Sequence, residues 1–244
     1  MTEQEWLACA DTTPMERFLE GRGWATNRRW RLWACSCIRR IWHLLADQRC
    51  RRAVEVAEAF ADGAADHRGL KRTYQAARRA WLKLREEMDR STPDQRALRD
   101  ALEPRYYGSI AAHAVTEVRE HQLFALHATA CVAIATEEGV DSTADAVDTE
   151  RAAQAALLRD IFGNPFRPVT PDPAWRSPQV VALAQAAYDQ RELPSGTLDG
   201  ARLAVLADAL EEAGCTNADL LDHLRGPGPH VRGCWVVDLI LGKS

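Results

Sequence analysis

Four potential metal ligands lie close together near the C-terminal end of the sequence: Cys215, His223, His230 and Cys234. Zinc prefers a tetrahedron of about four thiolate, imidazole or carboxylate ligands, and two cysteines with two histidines meet that demand. The spacing fits less well than the composition, because only His230 and Cys234, four residues apart in a predicted helix, share a face. The set predicts a zinc site, with a buried cysteine, a surface histidine and a turn as the alternative.

Arginines are concentrated between residues 28 and 52, where eight of them accompany a single acidic residue. On a helical wheel the apolar side chains of this segment share one arc, and four arginines fall on the opposite arc: Arg28, Arg29, Arg39 and Arg40. Guanidinium groups on an exposed face can bind an anionic partner. The pattern predicts a basic outer stripe, with ion pairing to the acidic second half of the chain as the alternative.

A turn rich in glycine and proline, at residues 226–229, is flanked by two further arginines, Arg225 and Arg232. Backbone N–H groups before the last predicted helix could bind a phosphate or carboxylate together with these arginines. Proline removes two of the donors, so a rigid turn that packs the last helix into the core is the simpler interpretation. The candidate binding surface comprises six arginines: Arg28, Arg29, Arg39, Arg40, Arg225 and Arg232.

Other residue sets have unsuitable spacing for chemistry. His113, Glu117 and His121 form a stripe at intervals of four, but metal sites in helical bundles use Glu-x-x-His pairs. Cys35 and Cys37 lie two apart in a predicted helix and point in different directions. No nucleotide-binding, acyl-transfer or zinc-protease motif occurs. We therefore expect no catalytic residue.

The composition is that of a globular protein, with 244 residues, 46% hydrophobic residues, 31 basic and 35 acidic side chains and a mean hydropathy of -0.34. Seven cysteines and an acidic N-terminal stretch in place of a signal peptide indicate reduced thiols and a cytoplasmic location. No apolar run of about 18 residues could cross a bilayer, so no membrane association is expected.

Signals for helix starts and ends recur along the chain, whereas strand signals hardly appear. The expected fold is an all-α array or bundle of about ten helices, at 13–21, 28–45, 48–62, 66–90, 93–102, 105–136, 143–162, 178–188, 200–213, 217–225 and 230–241. Prolines between 163 and 178 predict a packed connector. We expect a helical domain at 1–162, the connector at 163–177 and a C-terminal subdomain at 178–244, with one continuous domain as the alternative.

Specific residue strings at both ends of the chain carry a family resemblance. They lie at 5–9 (EWLAC), 13–15 (TPM), 32–45 (LWACSCIRRIWHLL), 52–58 (RAVEVAE), 155–168, 206–212 (LADALEE), 214–217 (GCTN) and 230–235 (HVRGCW). The strings resemble a paralogous family of uncharacterised bacterial all-helical proteins. Members tend to carry cysteine where this chain has Ser36 and Leu224, so a metal site that uses those thiols is not expected here. The resemblance implies an all-helical fold and no particular activity.

These observations lead to three functional hypotheses. The first is a non-enzymatic helical interaction module that uses the arginines to bind another protein and needs no cofactor. The second is a zinc-binding protein, with either a structural site or a metal-dependent hydrolase centre at the Cys and His set. The third is nucleic-acid binding through the arginine-rich helix, which the pI of about 6.0 disfavours.

Overall fold

The computed structural model describes residues 1–23, 25–92, 95–116, 131–132 and 144–243, without the side chains of 96, 97, 99 and 144–147. Within these ranges the chain forms eleven α-helices and no strand, which confirms the predicted all-α class. An isolated β-bridge joins Thr197 to Val231. No helix in the described part of the chain combines the length and hydrophobicity needed to cross a membrane.

The helices follow one another along the chain and are numbered in that order. They are α1 (Glu3–Ala8), α2 (Thr12–Leu19), α3 (Asn27–Arg40), α4 (Gln48–Ala61), α5 (His67–Arg90), α6 (Arg96–Ala114), α7 (Ala144–Phe162), α8 (Pro178–Asp189), α9 (Gly200–Glu212), α10 (Ala218–Arg225) and α11 (Trp235–Leu241). Two 3-10 turns, Trp42–Leu44 and Pro173–Arg176, follow α3 and precede α8.

Local capping signals set several of these boundaries as predicted. The Asp47 carboxylate accepts a hydrogen bond from the Arg49 backbone N–H at 2.8 Å, which caps α4. Ser177 caps α8 and is followed by Pro178 at the first helical position. Gly163 ends α7 with a φ of +70°, and a β-carbon there would lie 3.2 Å from the Trp235 ring. That close approach brings α11 against the end of α7.

Several predicted boundaries are wrong. Helix α3 ends at Arg40 and is followed by the 3-10 turn instead of continuing to 45. Helix α6 runs through Pro104, so the prediction of two separate helices at 93–102 and 105–136 is wrong. Most of residues 117–136 lie outside the described residues, so the predicted end at 136 is not tested. The last helix, α11, begins at Trp235 and not at 230, because residues 230–234 form a turn. At the other end of the chain, α1 was not predicted.

Two hydrophobic clusters form the interior. The first gathers buried side chains from α1 to α7, with Trp6, Trp30 and Trp33 among the largest. The second gathers buried side chains from α8 to α11 and includes Cys215 and Cys234. The first cluster also includes Val231 from the C-terminal segment, so apolar packing as well as polar contacts holds the C-terminal helices against the N-terminal ones.

Part of the predicted outer face of α3 is covered, although Arg40 at its end is exposed. Arg39 is only 4% exposed, although the wheel placed it on the solvent side. Arg39 donates to the Glu58 carboxylate of α4 at 2.6 and 2.9 Å and to the Pro194 carbonyl at 2.6 Å. The wheel detects only apolar burial, and here α4 and the loop after α8 cover the polar face through charged hydrogen bonds.

Candidate metal centre

Four side chains converge between α7 and the C-terminal helices: Asp160, His223, His230 and Cys234. Each offers one potential ligand atom, and these atoms all lie within 4.8 Å of one another. We call these residues the Asp160 cluster. Asp160, His230 and Cys234 are buried, and the His223 side chain is 21% exposed.

Separate segments deliver the members of the Asp160 cluster. Asp160 lies near the C-terminal end of α7, and His223 lies in the last turn of α10. His230 follows the glycine and proline turn, and Cys234 is the N-cap residue of α11. The turn needs glycine at residue 228, where φ is +83° and a β-carbon would lie 3.0 Å from the His230 nitrogen.

Backbone hydrogen bonds fix the loop that carries His230. The Val231 N–H donates to Asp160 Oδ2 at 2.9 Å, and the Cys234 N–H donates to the Val231 carbonyl at 2.9 Å. The His230 carbonyl accepts from the Leu198 N–H at 2.8 Å. The loop is therefore held from both sides, and His230 is oriented by its backbone as well as by its ring contacts.

Asp160 lies at the centre of the cluster. Its Oδ1 lies 3.1 Å from His223 Nε2 and 3.1 Å from His230 Nδ1, and His223 Nε2 lies 3.3 Å from Cys234 Sγ. Burial raises the pKa of Asp160, but the hydrogen bonds and charges of the two imidazoles outweigh burial and hold that pKa below its ordinary value. The carboxylate is therefore ionised in the folded protein.

The ring of His230 is in an unusual hydrogen-bonding position. Its Nε2 lies 3.2 Å from the Gly226 carbonyl oxygen, which can only accept, so Nε2 carries a hydrogen. In a neutral imidazole Nδ1 then presents a lone pair to Asp160 Oδ1, and two acceptors would face each other. Either a second proton on His230 or a cation between the two atoms removes this conflict.

The pKa directions in the cluster agree with this arrangement. Burial lowers the pKa of His230, but the hydrogen bond and charge of Asp160 raise this pKa by more than burial lowers it. The net pKa of His230 therefore lies above its ordinary value. Burial and the nearby carboxylate of Asp160 raise the pKa of the Cys234 thiol well above its ordinary value. In the absence of a metal ion, the cluster thus holds a protonated thiol beside a charged carboxylate.

The predicted ligand set requires two corrections. Cys215 is not in the cluster, because its sulfur is not among the ligand atoms that lie within 4.8 Å of one another, although its side chain is buried in the second hydrophobic cluster like that of Cys234. His230 and Cys234 do not share a helical face, since both precede α11. Asp160 was missed because it lies 63 residues from His223 in the sequence and belongs to no motif.

A cavity of about 440 Å³ adjoins the Asp160 cluster. His223 and His230 form part of its wall, and Trp6 and Trp235 line other parts. His223 and Trp235 also contact each other, with ring centroids 5.3 Å apart. The cluster is thus accessible to small molecules on one side.

Five of the six arginines of the predicted binding surface form ion pairs within the chain. The pairs are Arg28 with Asp62 and Asp238, Arg39 with Glu58, Arg40 with Glu150, Arg232 with Asp62, and Arg225 with Asp208 and Glu211. Arg29 forms no ion pair with any residue that the structure describes, and its Nε is buried without a hydrogen-bond partner there. The predicted stripe is therefore mainly an intramolecular contact.

The stripe of His113, Glu117 and His121 lies largely outside the described residues. His113 is described, and its ring lies 4.3 Å from that of Tyr74, measured between centroids. Residues 117 and 121 are not described. The expectation that this stripe is not a metal site stays a prediction.

Comparison of the chain with protein-family models, with curated proteins and with solved structures found no match. The family resemblance of the two ends of the chain stays a prediction. We therefore infer the function from the geometry of the Asp160 cluster.

Proposed function

We propose that this protein binds one zinc ion through Asp160, His223, His230 and Cys234, and that the ion fastens the C-terminal helices to α7. The observation that carries this proposal is the convergence of four donor atoms from separate segments within 4.8 Å. One thiolate, two imidazoles and one carboxylate would complete a tetrahedral zinc site.

The donor types favour zinc over other common ions. Magnesium and calcium prefer oxygen ligands, and only Asp160 supplies oxygen here. Cys234 supplies a soft sulfur and His223 and His230 supply imidazole nitrogens, which suit zinc. Metal binding would also deprotonate the Cys234 thiol, despite the pKa that burial raises in the metal-free protein.

The hydrogen bond from His230 to Gly226 supports the same assignment. A histidine that ligates a metal through one nitrogen usually donates its other N–H to a carbonyl or carboxylate, which orients the ring. In this protein Nε2 donates to the Gly226 carbonyl and Nδ1 faces Asp160. A zinc ion between Nδ1 and the carboxylate would replace the conflict between two acceptors with two coordinate bonds.

A structural role follows from the number of donors. Catalytic zinc sites usually keep three protein ligands and an open position, whereas structural sites use four. With all four residues bound, the ion would connect α7, α10 and the start of α11. We prefer this function to the interaction module, because most arginines that motivated the module are paired within the chain.

Elemental analysis of the purified protein, after reconstitution with zinc and removal of excess metal, tests the proposal. We expect about one zinc per chain in the wild type and a large loss in Cys234→Ser and His230→Ala. Cys215→Ser is the matched control, because it removes a buried thiol outside the cluster and should retain zinc. A metal-free wild type, or equal loss of zinc from Cys215→Ser and Cys234→Ser, would contradict the proposal.

A further inference from the structure

The cavity beside the Asp160 cluster has the dimensions of a small-molecule site. Its volume of about 440 Å³ falls within the usual range for ligand pockets. Much of its wall is apolar and includes Trp6, Leu7, Trp235 and the prolines at 227 and 229. Such a wall would bury the apolar body of a ligand, provided that polar groups orient one end.

Arg159 supplies a positive charge to this cavity without an acidic partner. Its Nη1 donates to the backbone carbonyls of Trp6 at 3.3 Å and Cys9 at 2.8 Å. No carboxylate among the described residues forms an ion pair with Arg159, although its side chain is partly buried. By contrast, Arg167, also in the wall, pairs with Glu3 at 2.6 Å and with Asp219 at 3.4 Å. The guanidinium of Arg159 thus retains both charge and donors for a ligand.

Trp6 supplies a second donor next to Arg159. Its side chain is fully buried, and its Nε1–H has no acceptor among the described residues. A buried donor without an acceptor is unfavourable, and buried N–H groups are rarely left in this state. Both residues line the same cavity, and Arg159 already contacts the Trp6 backbone. The residues that line the cavity therefore include one charged donor and one neutral donor that has no partner among the described residues.

We propose that this cavity binds a small organic carboxylate, whose oxygens accept hydrogen bonds from Arg159 and Trp6 Nε1 and whose apolar body lies against Trp235. A single guanidinium matches a single negative charge, and a charged hydrogen bond to it is among the stronger polar contacts in proteins. The apolar wall favours an organic anion over inorganic phosphate. The inference goes beyond the zinc proposal and does not require it, because neither donor is a zinc ligand.

Titration with benzoate, followed through the indole N–H signals in nitrogen–proton NMR spectra, tests the inference. The Trp6 signal is assigned from the spectrum of Trp6→Phe. We expect saturable shifts of that signal with a Kd of about 1 mM or tighter, and binding about tenfold weaker for the uncharged analogue benzyl alcohol. Equal binding of the two probes, or no saturable shift with benzoate, would overturn the inference. Both titrations use the unmodified protein, and Trp6→Phe serves only to assign the signal.

Two variants sharpen the assignment to Arg159. Arg159→Gln should weaken benzoate binding about tenfold, whereas the matched control Arg167→Gln should change it less than about threefold. Arg159→Lys keeps the charge and should retain a preference for benzoate over benzyl alcohol. Unchanged affinity in a folded Arg159→Gln would contradict the proposed contact. A protein that takes up no zinc on reconstitution but still prefers benzoate would support this site while contradicting the zinc proposal.

Discussion

Two buried carboxylate clusters join the N-terminal helices to the C-terminal helices, and they use different partners. In one, which we call the arginine network, Asp62, Asp238 and Glu58 are paired with guanidinium groups: those of Arg28, Arg39, Arg191 and Arg232. In the other, Asp160 is paired with two imidazoles beside a thiol. Arginine stays charged at every physiological pH, so the carboxylates of the arginine network keep positive partners without a bound ion. Imidazole and thiol are metal ligands, so the second is suited to an ion.

The comparison separates a permanent structural contact from one that depends on a ligand. Asp238 also accepts a hydrogen bond from the Tyr188 hydroxyl at 2.7 Å, and Asp62 receives Arg232 and Arg28 on its two oxygens. The carboxylates of the arginine network are therefore satisfied within it, although Arg191 Nη1 is buried without a hydrogen-bond partner among the described residues. In the Asp160 cluster, by contrast, the His230 ring is fully satisfied only by an extra proton or a cation.

The largest expected effect comes from the arginine network. Arg28→Gln should lower the free energy of unfolding by about 3 to 5 kcal/mol, because it leaves Asp238 buried without its cation, whereas Asp62 keeps Arg232 and Lys243. Urea denaturation measures the change. A loss below about 1 kcal/mol would show that the buried carboxylates do not depend on Arg28.

A smaller effect is expected when metal is removed from the Asp160 cluster. Chelation should lower the free energy of unfolding by about 2.7 kcal/mol if zinc was present at a hundred times its Kd. Asp160→Asn should make stability insensitive to the chelator, whereas Arg28→Gln should keep the full chelator effect. Calorimetric melts with and without chelator measure both. An identical chelator response in Asp160→Asn and the wild type would contradict the ligand assignment.

Acid should weaken the arginine network through Glu58. Burial raises the pKa of Glu58, but the hydrogen bonds and charges of Arg39 and Arg191 outweigh burial, so the net pKa lies below the ordinary 4.5. Because the pKa of Glu58 is lower in the folded protein than in the unfolded chain, the ionised carboxylate stabilises the folded protein above pH 4.5. This stability is lost as the pH falls through the pKa that Glu58 has in the folded protein. The free energy of unfolding, measured as a function of pH, should thus fall less steeply with acid in Glu58→Gln. Parallel curves for the two proteins would contradict this.

The smallest effect is expected at Arg225, whose ion pairs lie at the surface. Arg225→Gln removes contacts to Asp208 and Glu211, but water replaces those partners, so the urea midpoint should stay unchanged. It is the surface counterpart of Arg28→Gln. A midpoint shift as large as that of Arg28→Gln would remove the distinction between buried and exposed pairs.

Much of the helical fold could be predicted from the sequence, because caps and breakers act locally. The Asp47 cap, the end of α7 at Gly163 and the start of α8 at Pro178 depend on neighbouring residues alone. The burial of Arg39 could not be predicted in this way, since it depends on Glu58 of another helix. A wheel registers polarity but not whether a partner will cover it.

The candidate site could be predicted only in part, for a similar reason. His223, His230 and Cys234 lie within twelve residues and attracted attention by type and spacing. Cys215 fitted by type, but its sulfur lies outside the cluster. Asp160 joins the cluster only through the packing of α7 against α10 and the His230 loop, and nothing in the residues around it signals a ligand.

X-ray absorption at the zinc edge of the reconstituted protein tests the central claim most directly, because it reports the ligand atoms. The account predicts one sulfur at about 2.3 Å and three nitrogen or oxygen ligands at about 2.0 to 2.2 Å. The Cys234→Ser variant should lose the sulfur shell. Two sulfur ligands, as a site containing Cys215 would give, or a shell of oxygens alone, would contradict the assignment.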